Sequence, residues 1–128
     1  MTLICEYQFS SAHFYKQKHW SIEKNGAVFG KCFTDYGHGH NYRLELEIDI
    51  GNEIPSTARD LISGAVHVVL NRLDHQHLNF TIPEFKEVVP TTENISLYLR
   101  AQIQIPPPYR LGLVRLFEMD TIFVELTV

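Results

Sequence analysis

From His38 to Ile50 the chain alternates between two faces. His38, His40, Tyr42, Leu44, Leu46, Ile48 and Ile50 fall on one, and Gly39, Asn41, Arg43, Glu45, Glu47 and Asp49 on the other. A period of two marks a strand with one face buried and the other polar. The apolar face ends in two imidazoles. Residues two apart on a strand point the same way from Cα atoms about 6.6 Å apart, so His38 and His40 can both reach one ion.

A second stretch behaves alike. The odd positions Leu3, Cys5, Tyr7, Phe9, Ser11 and His13 face inward, while Glu6, Gln8 and Ser10 face outward, and this face too ends in a histidine. Downstream, Thr57-Ala-Arg-Asp60 reads as a capping box, and Leu61, Ala65, Val68, Val69 and Leu73 recur at helical spacing, which predicts an amphipathic helix over residues 57–72. A second helix is expected to begin at Thr91 or Thr92 and to bury Ile95, Tyr98, Leu99 and Ile103. Residues 110–119 and 121–127 read as two closing strands joined by a tight turn. The order ββααββ predicts an α+β fold, a four-stranded antiparallel sheet with both helices on one face. Leu113, Val114, Leu116 and Phe117 break the alternation of the third strand, which suggests an apolar second face covered by another subunit and hence a homo-oligomer.

A chain of 128 residues with a net charge of −4 is expected to form one domain, residues 1–128, and lacks the basic field that nucleic-acid binding needs. It has no apolar run near the ~20 residues of a membrane span, and its amino terminus does not resemble a signal peptide. A soluble, cytoplasmic protein is expected. Two cysteines in a chain of this length do not make a disulfide framework. Cys5, on an apolar strand face, reads as a buried, inert thiol.

If the first two strands pair, His13 joins His38 and His40. Three imidazoles suit zinc and leave a fourth position open, the mark of a catalytic rather than a structural site. A shared ion also gives each buried imidazole a partner. His19 and His67 read as ordinary polar residues, and His77 is given no role.

FSSAH, FGKC, HGHNY, LDHQHLN, VPTTEN and a late FE resemble, in order and spacing, the 6-pyruvoyl-tetrahydropterin synthase family, across nearly the whole chain. The resemblance implies the tunnelling fold (T-fold), with zinc, one per subunit, on His13, His38 and His40. It implies a thiol nucleophile or base at Cys32, a proton-relaying pair at Asp74 and His75, a pterin anchor at Glu118 and a second pterin-contacting segment at Thr91, Thr92 and Glu93. The implied substrate is 7,8-dihydroneopterin triphosphate, with magnesium as a companion to its triphosphate, and the implied assembly is a hexamer of two stacked trimers in which Asp74 and His75 reach a neighbour's cleft. The sister enzyme of the queuosine pathway, 6-carboxy-tetrahydropterin synthase, starts from the same substrate and is the alternative. A non-catalytic zinc- or pterin-binding module is a further one. The short polar stretch 51–57 and residues 106–109 depart from the family pattern without touching the named residues.

Overall fold

The computed structural model describes residues 1–30 and 37–128. Cys32 lies outside the described residues. The first two strands, β1 (Thr2–His13) and β2 (His38–Asp49), alternate buried and exposed along nearly their whole length. They pair antiparallel from Thr2 opposite Asp49 to His13 opposite His38. The closing strands, β4 (Arg110–Met119) and β5 (Ile122–Thr127), extend the sheet from β2.

The sheet has five strands rather than four, in the order β3-β1-β2-β4-β5. The addition is β3 (Gln76–His77), which runs parallel to Ser11 and Ala12 and makes the sheet mixed. Two residues are too few to show a period.

A short helix, α1 (Ile22–Phe29), was not expected from the sequence. Ser21 caps it by accepting from the Lys24 amide. The next helix, α2 (Pro55–Leu73), starts two residues before the expected box. Pro55 sits in its first turn, where a missing N–H costs nothing, and Thr57 to Asp60 lie inside the helix rather than at its cap. Its buried stripe is Ala58, Ile62, Val66, Val69, Leu70 and Leu73, whereas Leu61 and Val68 are 54% and 59% exposed. Val69 and Leu73 are buried as expected, but in the first part of the helix the row seated on the sheet is Ala58, Ile62 and Val66 rather than the expected Leu61, Ala65 and Val68. A one-turn α3 (Leu78–Thr81) and a 3-10 turn (Pro83–Lys86) lead to α4 (Thr92–Gln102), which starts and buries its residues as expected. Side chains of α2 and α4 join those of β1, β2 and β4 in one core that includes Leu44, Leu46, Ile62, Val66, Ile95, Leu99 and Leu116.

The irregular third strand has a local cause. Leu111 pairs with Ile48 and Leu113 with Glu47, so Gly112 is an extra residue in β4. Such a bulge reverses the facing of every later residue, and Leu111 packs against the same core as Val114 and Leu116. Nor is the opposite face apolar. Arg115 there meets Glu45 at 2.8 Å and Glu125 at 3.1 Å, while Arg43 meets Glu45 at 2.7 Å and lies over the Phe117 ring.

Candidate active site

The β1–β2 register places His13 directly across from His38, and Ser11 across from His40. Because all three histidines sit on the core face, their rings converge at the end of the sheet, with centroids 4.7 to 5.1 Å apart. His13 is fully buried, and its Nε2 lies 3.2 Å from His38 Nε2. Two ligands at about 2.0–2.1 Å from a tetrahedral ion stand about 3.4 Å apart, so this spacing suits a shared cation.

His40 Nε2 is buried without a hydrogen bond. It lies 2.9 Å from Glu118 Oε1, close enough for attraction but not aligned as a donor to that oxygen. Glu118 shares the core-facing parity of Val114 and Leu116 and stands where the β4–β5 register shifts, between Phe117 and Met119. Its Oε1 is also 3.7 Å from His13 Nε2, and its Oε2 accepts from the Thr92 hydroxyl at 2.9 Å. One ligand atom from each of His13, His38, His40 and Glu118 lies within 4.8 Å of the others. An orphaned buried nitrogen beside two facing imidazoles is the environment a metal ion completes, so the donor set fits a metal that accepts nitrogen.

Electrostatics point the same way. Burial, helped by the neighbouring His38 and His40, pushes the His13 pKa down to about 3. Burial lowers that of His40 too, against the opposing pull of Glu118. His13 is thus a neutral ring at ordinary pH, as a metal ligand must be. The buried Tyr42, on the same face two residues after His40, brings its hydroxyl to 3.1 Å from His13 Nδ1. Sequence reasoning missed that contact, although the shared parity of Tyr42 and His40 was visible. Gly37 enters β2 at φ 81°, where a Cβ would strike the His13 carbonyl oxygen, so only glycine lets the two strand ends close up.

The other expected residues lie in different places. Asp74 ends α2, and its Oδ1 accepts from the Ser10 amide at 2.8 Å; this bond, followed by His75, lowers its pKa. His75 Nδ1 lies 2.9 Å from Asp74 Oδ2, but its side chain is 81% exposed. His75 has φ 59°, unusual for a residue with a Cβ. His75 borders an open cleft of about 490 Å³ shared with Ser10, Ala12, His40, Asn41 and Gln76, so it opens onto the same cleft as one of the three histidines, although no described hydrogen bond or ion pair joins the two. Thr91 is the N-cap of α4, accepting from the Asn94 amide, and Glu93 is exposed in the first turn. His77 stacks near Phe80 and adds to the field that lowers the His13 pKa. No sequence signal marked it.

A profile of the 6-pyruvoyl tetrahydropterin synthase family matches residues 2–127. The chain belongs to that family. Among its relatives, the 6-pyruvoyl tetrahydrobiopterin synthase of Pongo abelii is 36% identical over 117 residues, covering 88% of this chain and 81% of the relative. That of Dictyostelium discoideum is 38% identical over 101 residues, covering 74% and 72%. The solved 6-pyruvoyl tetrahydropterin synthase of Caenorhabditis elegans superposes with a TM-score of 0.89 at 25% identity, covering 100% of this chain and 95% of that one. The T-fold of the 6-pyruvoyl tetrahydropterin synthases is thus the fold of this chain, with the short β3 as an addition to the expected sheet. No helix is long and apolar enough to cross a membrane among the described residues.

Proposed function

We propose that the chain, an enzyme of the 6-pyruvoyl tetrahydropterin synthase family and as such a triphosphate-eliminating lyase, converts 7,8-dihydroneopterin triphosphate to 6-pyruvoyl-tetrahydropterin in the cytoplasm. The observation that carries this reading is the convergence of His13, His38 and His40 beside Glu118, with a buried His40 nitrogen that makes no hydrogen bond.

The three imidazoles would hold zinc, which when bound makes the hydrogens beside the substrate's side-chain hydroxyls more acidic. Glu118 anchors the ring. Thr92 donates to one of its carboxylate oxygens, and the other would accept a ring N–H. Thr91 and Glu93 border the same segment. The Cys32 thiolate takes a proton from the side chain and returns it, and His75, oriented by Asp74, is the complementary acid or base. Oxidation of the side chain balances reduction of the ring inside one molecule, so no redox cofactor is needed. Magnesium accompanies the triphosphate.

The exposure of the His75 side chain supports an assembly in which it serves a neighbouring subunit, with a hexamer of two trimers as the proposed form. The relatives carry the pyruvoyl name, which favours that product over the 6-carboxy product. Mass spectrometry of the pterin formed by the zinc-loaded protein tests the reading. A pyruvoyl product with free triphosphate is expected, and a carboxy product with acetaldehyde would overturn it.

A further inference from the structure

All five lysines of the chain fall at positions 16, 18, 24, 31 and 86. Three of them, Lys16, Lys18 and Lys86, border one cleft of about 380 Å³ with Phe14, Phe80 and Phe85 among its other walls. In a chain of net charge −4, three ammonium groups around one opening make a local field of the opposite sign. Glu87, the one acid on the cleft, is bound to Lys18 at 2.8 Å. Lys16 and Lys86 make no ion pair among the described residues.

The segment bearing Lys16 and Lys18 is fastened on both sides. Asn79 accepts from the Phe14 amide at 2.9 Å and donates to its carbonyl at 3.0 Å. Asn25, 1% exposed, accepts from the Gln17 amide at 2.7 Å and donates to the Gln17 carbonyl at 3.1 Å. Gln17 lies between the two lysines, so a buried amide sets the backbone that presents them. Apolar walls strengthen the attraction between such fixed charges and an anion.

The lining residues are neighbours along the chain of residues at the histidine site. One wall begins at Phe14, next to His13, and the other ends at Val89, next to Pro90 and the Thr91–Thr92 pair that leads to Glu118. The two or three residues from His13 to Lys16 span at most about 10 Å, within reach of a ligand seated on the histidines.

We infer that this cleft binds the triphosphate of the substrate, with Lys16, Lys18 and Lys86 as its phosphate ligands and Asn25 and Asn79 as positioning residues. The inference rests on the function proposed above. Lys18 exchanges an exposed carboxylate partner for phosphate, so binding needs no rearrangement of the backbone.

Calorimetry on the metal-loaded full chain tests it, with inorganic triphosphate and unphosphorylated dihydroneopterin as separate probes. In the triple variant Lys16→Gln, Lys18→Gln, Lys86→Gln, triphosphate affinity is expected to fall at least 30-fold, while dihydroneopterin affinity stays within about twofold. Lys24→Gln, whose ammonium lies over the Trp20 ring away from the cleft, is expected to change neither. For the pterin triphosphate, KM rises with little loss of kcat. Equal triphosphate binding by the wild type and the triple variant, or none by the wild type, overturns the phosphate site. Failure of dihydroneopterin to bind the wild type instead overturns the proposed function.

Discussion

His13 and His38 face each other across the β1–β2 pair, with their Nε2 atoms 3.2 Å apart. Strand register alone makes this contact, and the geometry of the metal site follows from it. The His13 ring also meets Tyr42, whose hydroxyl lies 3.1 Å from Nδ1, and the Pro90 backbone.

Tyr42→Phe removes only that oxygen. A lost hydrogen bond of this kind lowers stability by about 1 kcal/mol, but loosening a metal-bound imidazole weakens metal affinity by roughly 10–100-fold. Competition with a chromophoric chelator is expected to show that drop while the urea midpoint moves little. Unchanged metal affinity would mean that Tyr42 only fills space.

The depressed His13 pKa predicts a specific pH response of the metal-free protein. The ordinary value is 6.5 and the folded value about 3. Between them the unfolded chain binds the proton and the folded one does not, so acid favours unfolding. The contribution is fully present above pH 6.5 and is lost as pH falls toward 3, at up to about 1.4 kcal/mol per pH unit for one proton. Urea midpoints between pH 7 and 4 are expected to fall more steeply for the wild type than for His13→Gln. Parallel curves would count against a neutral, buried His13.

Glu118 touches the histidines as well as Thr92, so its two possible roles need separating. If three imidazoles hold the ion and Glu118 holds the pterin, Glu118→Gln keeps one metal per chain and loses at least 100-fold in dihydroneopterin affinity. Elemental analysis and calorimetry read the two separately. Loss of the metal together with the ligand would make Glu118 a metal donor instead.

His75 sits in the left-handed region at φ 59°, which costs a residue with a Cβ about 1–2 kcal/mol. Glycine relieves that strain but adds freedom to the unfolded chain, so His75→Gly is expected to stay within about 1 kcal/mol of wild-type stability while losing activity. Mixing inactive His75→Gly with inactive Cys32→Ala, after dissociation and reassembly, is expected to restore part of the activity, because a neighbour's His75 completes an intact site. No recovery from any mixture would place both residues in one subunit's cleft.

The sheet and its histidines were legible because strand alternation is a local pattern, and it ran unbroken from His38 to Ile50 and from Leu3 to His13. The buried row of α2 was legible only at its end, at Val69 and Leu73. Leu61 and Val68 satisfy helical spacing as well as Ile62 and Val66 do, and only packing on the sheet chooses between them. Gly112 hid the facing of β4, since a bulge reverses parity without a mark in the pattern. Strand β3 and the cleft lined by the lysines depend on contacts between distant segments, which no local period records. The resemblance named the chemistry of Cys32, Asp74 and Glu118, but only the fold shows Glu118 against the histidines, with the Asp74–His75 pair at the sheet edge.

The account stands on a metal held by three imidazoles. X-ray absorption at the zinc edge, on the protein loaded with one equivalent, measures that directly. The account predicts a nitrogen and oxygen shell at about 2.0–2.1 Å containing three histidines, reduced to weak, substoichiometric binding in His38→Ala. A shell dominated by sulfur near 2.3 Å, or full zinc binding in His38→Ala, would contradict it.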